Sequence, residues 1–385
     1  MTQTYDRPQL DVLLSAPRIG GAQRATRRAE TRAESAPGPT YYGQPMIKSP
    51  TWKWPIPFYF WIGGMAGGAA VVGAVAELIG GEEYRATVRH ARWVALALGA
   101  ASPIPLIQDL GRPERFLNML RVVKVSSPLN LGTWILTSFD GVSALLAARQ
   151  AAEDGFIVSS ESRLGRALLA APSAPLAVLH GLLGVALGGY TGVVLTSSAV
   201  PVWASRGVAL GPLFEATALA SGASAVNLIG VLSGQDTDEA RRQVDTIAAI
   251  GQVAQLGAAL VYEVGRPARI SKPLRQGLWG RVYQAGAVGA GIAAPLALRL
   301  GARLLGKRRA PWLYATVATL SLAGALAERL AIVEAGKVSA RDPLAYQELT
   351  RGAPGEARPG PRQQAAMAPK TSGYDKGIAA SDHRE

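Results

Sequence analysis

An aspartate in the middle of a long apolar run is the first residue here that demands a chemical reason. Asp140 sits near the centre of the run 131–149. Ionisable groups inside lipid are costly, so such a carboxylate relays protons, binds an ion, or is protonated or hydrogen-bonded and fixes one helix to another. Glu215 lies about two turns into a further apolar run, placed either to accept a proton from a bound ligand or to pair with an arginine at the headgroups. Tyr59 and Tyr190 stand near the ends of their runs. Tyrosines commonly anchor helices at a membrane interface, and phenol hydroxyls are also the donors that a flat ring with two carbonyl oxygens, a quinone headgroup, requires. Asp109 and Arg112 belong to Asp-Leu-Gly-Arg-Pro, where glycine permits a turn, proline starts a new segment, and a carboxylate–guanidinium pair can fix the loop. Arg115 and Arg121 lack that local explanation and suit an acidic partner or an anionic lipid. Glu77 and Glu263 lie near helix ends and face the interface, and His180 reads as a structural histidine ahead of a proton carrier.

Composition narrows the setting of these residues. The 385-residue chain is 49% hydrophobic and 17% charged, against roughly a quarter charged in soluble domains. It contains no cysteine, which excludes disulfides, thiolate catalysis, zinc–thiolate sites and an iron–sulfur cluster ligated by this chain. Of its three histidines only His180 lies in an apolar run, so a bis-histidine haem between helices is excluded too. The net charge of +13 sits largely in tails and interhelical loops, where lipid headgroups account for it and nucleic acid is not needed.

The apolar runs have the length that spans a bilayer. Eight are expected, at about 56–79, 93–109, 131–149, 176–198, 208–232, 244–264, 281–305 and 312–333. Trp52-Lys53-Trp54-Pro55 forms an interfacial anchor before the first. The last is the weakest, because Glu328 and Arg329 interrupt its final turns. Gly63, Gly64, Gly67 and Gly68 supply small residues four apart, which lets helix backbones approach closely. Residues 1–40 and 346–385 mix charged residues, Pro, Gly and Ala without periodicity and read as disordered tails.

The chain also repeats itself. Asp109-Leu-Gly-Arg-Pro-Glu-Arg115 recurs as Glu263-Val-Gly-Arg-Pro-Ala-Arg269, and Met65-Ala-Gly-Gly-Ala69 answers Leu219-Ala-Ser-Gly-Ala223. Four spans separate the copies, so both halves, about 50–198 and 208–340, have the same orientation. The expected architecture is an all-α integral membrane protein of two parallel-repeat four-helix bundles, related by an axis along the membrane normal. Counting spans then brings Trp52, Trp54, Tyr59, Asp109, Arg112, Arg115, Arg121, Tyr190, Glu215, Glu263, Arg266 and Arg329 toward one membrane face, here termed the motif face. Lys and Arg are nearly balanced between the two faces, so positive-inside counting assigns neither to the cytoplasm.

Several motifs in this order resemble the NrfD / polysulfide-reductase membrane-subunit family. They are Trp52-Lys-Trp-Pro-Ile-Pro-Phe-Tyr59 with Gly63-Gly-Met-Ala-Gly-Gly68, Asp109 through Arg121, Ser126-Ser-Pro-Leu-Asn-Leu-Gly-Thr-Trp134, Leu187-Gly-Gly-Tyr-Thr-Gly192, and Ala335 through Pro343. The resemblance covers about 41–345. It implies eight helices in two bundles, no haem or iron–sulfur cluster in this chain, and an exchangeable quinone, menaquinone or ubiquinone, bound near the face where a partner docks. That partner would be a ferredoxin-like subunit with four [4Fe–4S] clusters, serving a catalytic subunit that is often molybdopterin-dependent. Tyr190 matches the family's quinone-binding tyrosine. Tyr59 takes the place of a histidine ligand, Ile56 that of an asparagine partner, and Arg115 matches an arginine near the docking face.

The expected function is that of a membrane-anchoring, quinone-interacting electron-transfer subunit of a multisubunit oxidoreductase in a bacterial cytoplasmic membrane. Asp109, Asp140 and Glu215 are its proton-relay candidates, with Trp54, Arg112, Arg121, Glu263 and Arg266 docking a partner or shaping loops. A secondary or ion-translocating transporter also fits parallel repeats and a mid-membrane carboxylate, and a purely structural anchor fits the docking motifs alone.

Overall fold

The computed structural model describes residues 45–156, 159–305 and 310–351. Among them there is no strand, and the chain is a succession of long helices. We label these α1 (Pro55–Ile79), α2 (Arg85–Ala101), α3 (Pro128–Glu153), α4 (Ser173–Thr196), α5 (Gly207–Ser233), α6 (Asp238–Glu263), α7 (Gly277–Leu304) and α8 (Pro311–Ala340). All but α2 are long and apolar enough to cross a membrane. This is an all-α, multi-pass integral membrane protein. In lipid the backbone must satisfy its own hydrogen bonds, which a helix does within one segment.

The second expected span is occupied by α2 and, after the single residue Ser102, the short helix Pro103–Asp109. It begins at Arg85 rather than near residue 93 because its arginines have partners. Arg85 meets Glu82, Arg89 meets Asp154 at 3.4 Å, and Arg92 meets Glu77 at 2.9 Å. The last helix likewise outruns its expected end. Glu328 and Arg329 do not terminate it; both are fully buried and bonded. The predicted tail 1–40 lies outside the described residues, as does 352–385, while 346–351 continue a helix that starts at Pro343.

By chain order the helices fall into two groups of four, joined by α5, which lies against α1 and α4 as well as against α6 and α8. In the first, α1 lies against α2 and α4, and α3 closes over α2 and α4. In the second, α5 lies against α6 and α8, and α7 packs on α8. The middle of α7, Val282–Ala293, is wound as a π-helix, and its Gly291 lies against Gly324 of α8. The groups meet chiefly through α1 and α5. There Gly68 and Gly222, which occupy matching places in the sequence repeat, lie backbone to backbone, and a Cβ on either would strike the other helix. Gly67 and Gly184 do the same between α1 and α4. Lipid tails are as apolar as leucine, so helices gain little by hiding apolar side chains from them and associate through close packing of small residues instead.

Arg329 stands at the junction of the groups. Its guanidinium pairs with Glu328 at 3.0 Å, donates to the Phe214 carbonyl at 2.8 Å, lies 3.6 Å from the Phe214 ring centre and reaches the backbone of α1 at Gly64. Glu328 also accepts from Thr217 at 2.8 Å and Gln255 at 2.7 Å. Removing one member of a buried pair strands the other's charge, at a cost of about 3–5 kcal/mol. Arg329→Ala should therefore lower the thermal unfolding midpoint in detergent sharply, and the double change Glu328→Gln with Arg329→Met should restore much of the loss. Equal midpoints for Arg329→Ala and the parent would show that the pair does not hold α5, α6 and α8 together.

Candidate functional site

Helix α1 delivers Tyr59 one turn after Pro55 and Pro57, which tolerate the helix start because its first N–H groups have no intrahelical partner. Helix α4 delivers Tyr190 from its last two turns, and α3 runs the other way beside it. Where α3 and α4 cross, Gly132 leaves the space that the Tyr190 ring fills; a Cβ there would collide with the ring and its hydroxyl. A glycine in a helix interior costs about 1 kcal/mol relative to alanine, and here it provides the seat for that aromatic side chain.

These elements enclose a cavity of about 180 Å³. Tyr59, Tyr190, Asp109 and Asp140 all line it, as do Phe116 and Met119 from the segment after Pro113. Its remaining wall is mostly apolar, with Ile56, Leu106 and Leu136 among its members. Two polar atoms at the cavity stand out. The Tyr190 hydroxyl lies against Gly132 without a hydrogen-bond partner, and Asp140 Oδ1 is buried without one. Native structures bond nearly all such atoms, so each exception calls for an explanation. The Asp140 carboxylate is accommodated by Gly99 of α2, where a Cβ would overlap it.

Asp109 is tied differently from expectation. Its carboxylate accepts the Lys53 backbone N–H at 3.2 Å, joining the start of α1 to the end of the second span, while Arg112 is exposed. The loop-fixing pair forms only in the second half, where Glu263 bonds Arg266 at 3.0 Å and Arg275 at 3.3 Å. There the Arg266 guanidinium stacks 3.7 Å from the Tyr262 ring centre, and the Tyr262 hydroxyl donates to the Val202 carbonyl at 2.7 Å. The repeat-matched positions are therefore packed and bonded in one half and border an open space in the other.

The remaining candidates are dispersed. Glu215 does not line the cavity; it is half-buried against Gly188 of α4, with Oε2 unbonded. Trp54 and Arg121 are exposed, and the Arg115 side chain lies outside the described residues. Arg329 is sealed inside the protein, bonded to the Phe214 carbonyl of α5. Trp52, expected as an interfacial anchor and on the motif face, lines the cavity and stacks on Trp203 with ring centres 5.4 Å apart. Sequence reasoning missed Gly132 as a site residue. Its one signal was membership of the motif Ser126–Trp134.

The fold and cavity define a polytopic helical membrane protein with a ring-sized, one-sided polar site. Residues 44–340 match the family model described as "Polysulphide reductase, NrfD". The chain belongs to the NrfD polysulphide reductase family. It is also similar to the C subunit of polysulfide reductase from Wolinella succinogenes, 25% identical over 306 residues that make up 74% of this chain and 94% of that protein.

Gly132→Ala should push the Tyr190 ring off α3, as an experimental structure of the variant would show directly. An unmoved ring would mean that α3 and α4 can separate at this crossing.

Proposed function

We propose that the chain is the membrane-anchoring, quinone-interacting subunit of a multisubunit oxidoreductase. In this reading it exchanges electrons between the quinone pool and a docked iron–sulfur subunit of the four-cluster ferredoxin-like type. A catalytic subunit, of molybdopterin type, works beyond that partner in a bacterial cytoplasmic membrane. Family membership supports the coarser statement, a membrane subunit of a reductase complex. The observation that carries the finer one is the convergence of Tyr59, Tyr190 and Asp140 on a single cavity within the first helix group.

The cavity suits a small ring. An apolar cavity of roughly 150 Å³ accepts benzene, and this one is somewhat larger. A quinone supplies a carrier of two electrons and two protons that reaches such a site from within the bilayer. Tyr59 and Tyr190 serve as hydrogen-bond donors to its oxygens, since a phenol hydroxyl both donates and accepts. Asp140, which lines the cavity, takes or returns a proton. Ile56, in place of an amide side chain, adds only shape and water exclusion, leaving the tyrosines as the wall's polar grip. Electrons would pass at the segment after Pro113, where exposed Leu117, Val122 and Val123 accompany exposed Arg112 and Arg121. Apolar groups ringed by charge are the pattern of a protein-docking surface.

Tyr190→Phe should reduce quinone turnover by the intact complex by about tenfold, the effect of losing one hydrogen bond of roughly 1–1.5 kcal/mol. Unchanged turnover would remove Tyr190 from the site. The cysteine-free chain allows a second measurement. The variant Thr133→Cys, altered at a residue that lines the cavity, should react with a small maleimide and be protected by a quinone analogue; labelling at an unaltered rate would refute quinone binding there.

A further inference from the structure

One wall of the cavity is held from outside the helix group that forms the rest. Trp52 lines the cavity, yet it stands ahead of α1, in a stretch, residues 45–53, that forms no helix. A side chain on such a stretch is positioned by what it touches. Within the first group its ring meets Phe60 of α1 edge-on, with centres 6.2 Å apart. Two further holds come from elsewhere. The ring stacks on Trp203, with planes 19° apart, and the Trp52 carbonyl accepts from Lys337 Nζ of α8 at 2.9 Å.

Both holding groups are themselves fixed by the second helix group. Trp203 lies on the short helix Pro201–Ala204 between α4 and α5 and is 1% exposed. A buried indole N–H needs a partner, and here it donates to the Ile332 carbonyl of α8 at 2.8 Å. The ring fills the space over Gly336 of α8, where a Cβ would strike it. The backbone beside it is pinned twice, by the Tyr262 hydroxyl bond to the Val202 carbonyl and by the Val202 N–H, which donates to Ser339 Oγ at 3.2 Å. Lys337 is paired with Glu334, one turn before it on α8. The surface on which Trp52 rests is therefore rigid, although Trp52 has no helix of its own.

We infer that Trp203 and Lys337 are positioning residues for the cavity, holding Trp52 as the aromatic wall against which the quinone ring packs. The second helix group then takes part in ligand binding without touching the ligand. This rests on the cavity being the quinone site. Hydrogen bonds to the two oxygens of a quinone define an axis but leave the ring free to tilt about it. An aromatic wall removes that freedom, because flat rings settle in offset-stacked or edge-to-face contact. Tyr59 and Tyr190 supply the donors, and Trp52 supplies the plane. A wall that shifted with its flexible stretch would fix nothing, so its hold on Trp203 and Lys337 is what makes it selective for a ring.

The test measures, in the intact complex carrying Thr133→Cys, the concentration of a quinone analogue that halves maleimide labelling. Trp52→Leu and Trp203→Leu should each raise it by roughly two- to tenfold, the range of one aromatic contact. Residues that act through one another do not add, so the double change should raise it no further than Trp52→Leu alone. Trp203→Phe, which keeps a ring to stack on, should retain most of the affinity. Lys337→Met leaves both rings in place and takes the place of Trp203→Leu in the same cycle if that variant fails to assemble. An unchanged concentration in Trp52→Leu or Trp203→Leu, or a full additional loss on combining them, would overturn the positioning role but leave the quinone site standing. Absence of protection in the otherwise unaltered Thr133→Cys complex would overturn both.

Discussion

The close approach of α1 to α4 and α5 is the contact on which the rest of this protein depends. With lipid outside, side chains gain little from hiding among other helices, and association rests on van der Waals contact and hydrogen bonds. Gly67 against Gly184 and Gly68 against Gly222 bring backbones together at one level of α1, on two of its faces. Helix α1 thereby becomes the common axis of both groups, buried over most of its length. Because α1 and α4 are pinned there, their ends toward the motif face are held at a definite separation. Tyr59 and Tyr190 lie on those ends, and the space between them belongs to the cavity.

The two halves use one sequence pattern for different ends. In the second, Glu263, Arg266 and Tyr262 close on each other through an ion pair, a stacked guanidinium and a buried hydroxyl bond. In the first, Gln108 stands where Tyr262 would, Arg112 is exposed, and Asp109 turns to the start of α1. A duplicated helix bundle offers two such places. Filling one with bonded polar groups stabilises the assembly. Leaving the other underpacked gives room for a ligand, at the cost of weaker dispersion attraction around a void.

Much of this was legible in the sequence. The all-α membrane class followed from run length and sparse charge, and the placing of Tyr59, Tyr190 and Asp109 toward one face followed from counting spans; Asp140, read as a mid-membrane carboxylate, joins them only in the structure. What was missed has a common cause. Arg85, Arg89 and Arg92 read as a loop because their carboxylate partners come from other segments, and Glu328–Arg329 read as a helix end because Gln255, Thr217 and the Phe214 carbonyl lie elsewhere in the chain. Gly132 likewise acquires its role only from a tyrosine on another helix. Charge and glycine are ambiguous locally, and tertiary neighbours decide what they mean.

Bonded and unbonded buried groups sort the polar interior by function. A carboxylate that accepts from Thr217, Gln255 and Arg329 has its lone pairs committed, so protonating it would break contacts that join three helices. Asp140 has no such commitment at Oδ1 and lines the cavity. Buried polar atoms without partners occur in both halves, Glu215 Oε2, Asn227 Oδ1 and the Tyr283 hydroxyl in the second among them, but of the residues that carry such atoms only Asp140 and Tyr190 line the cavity.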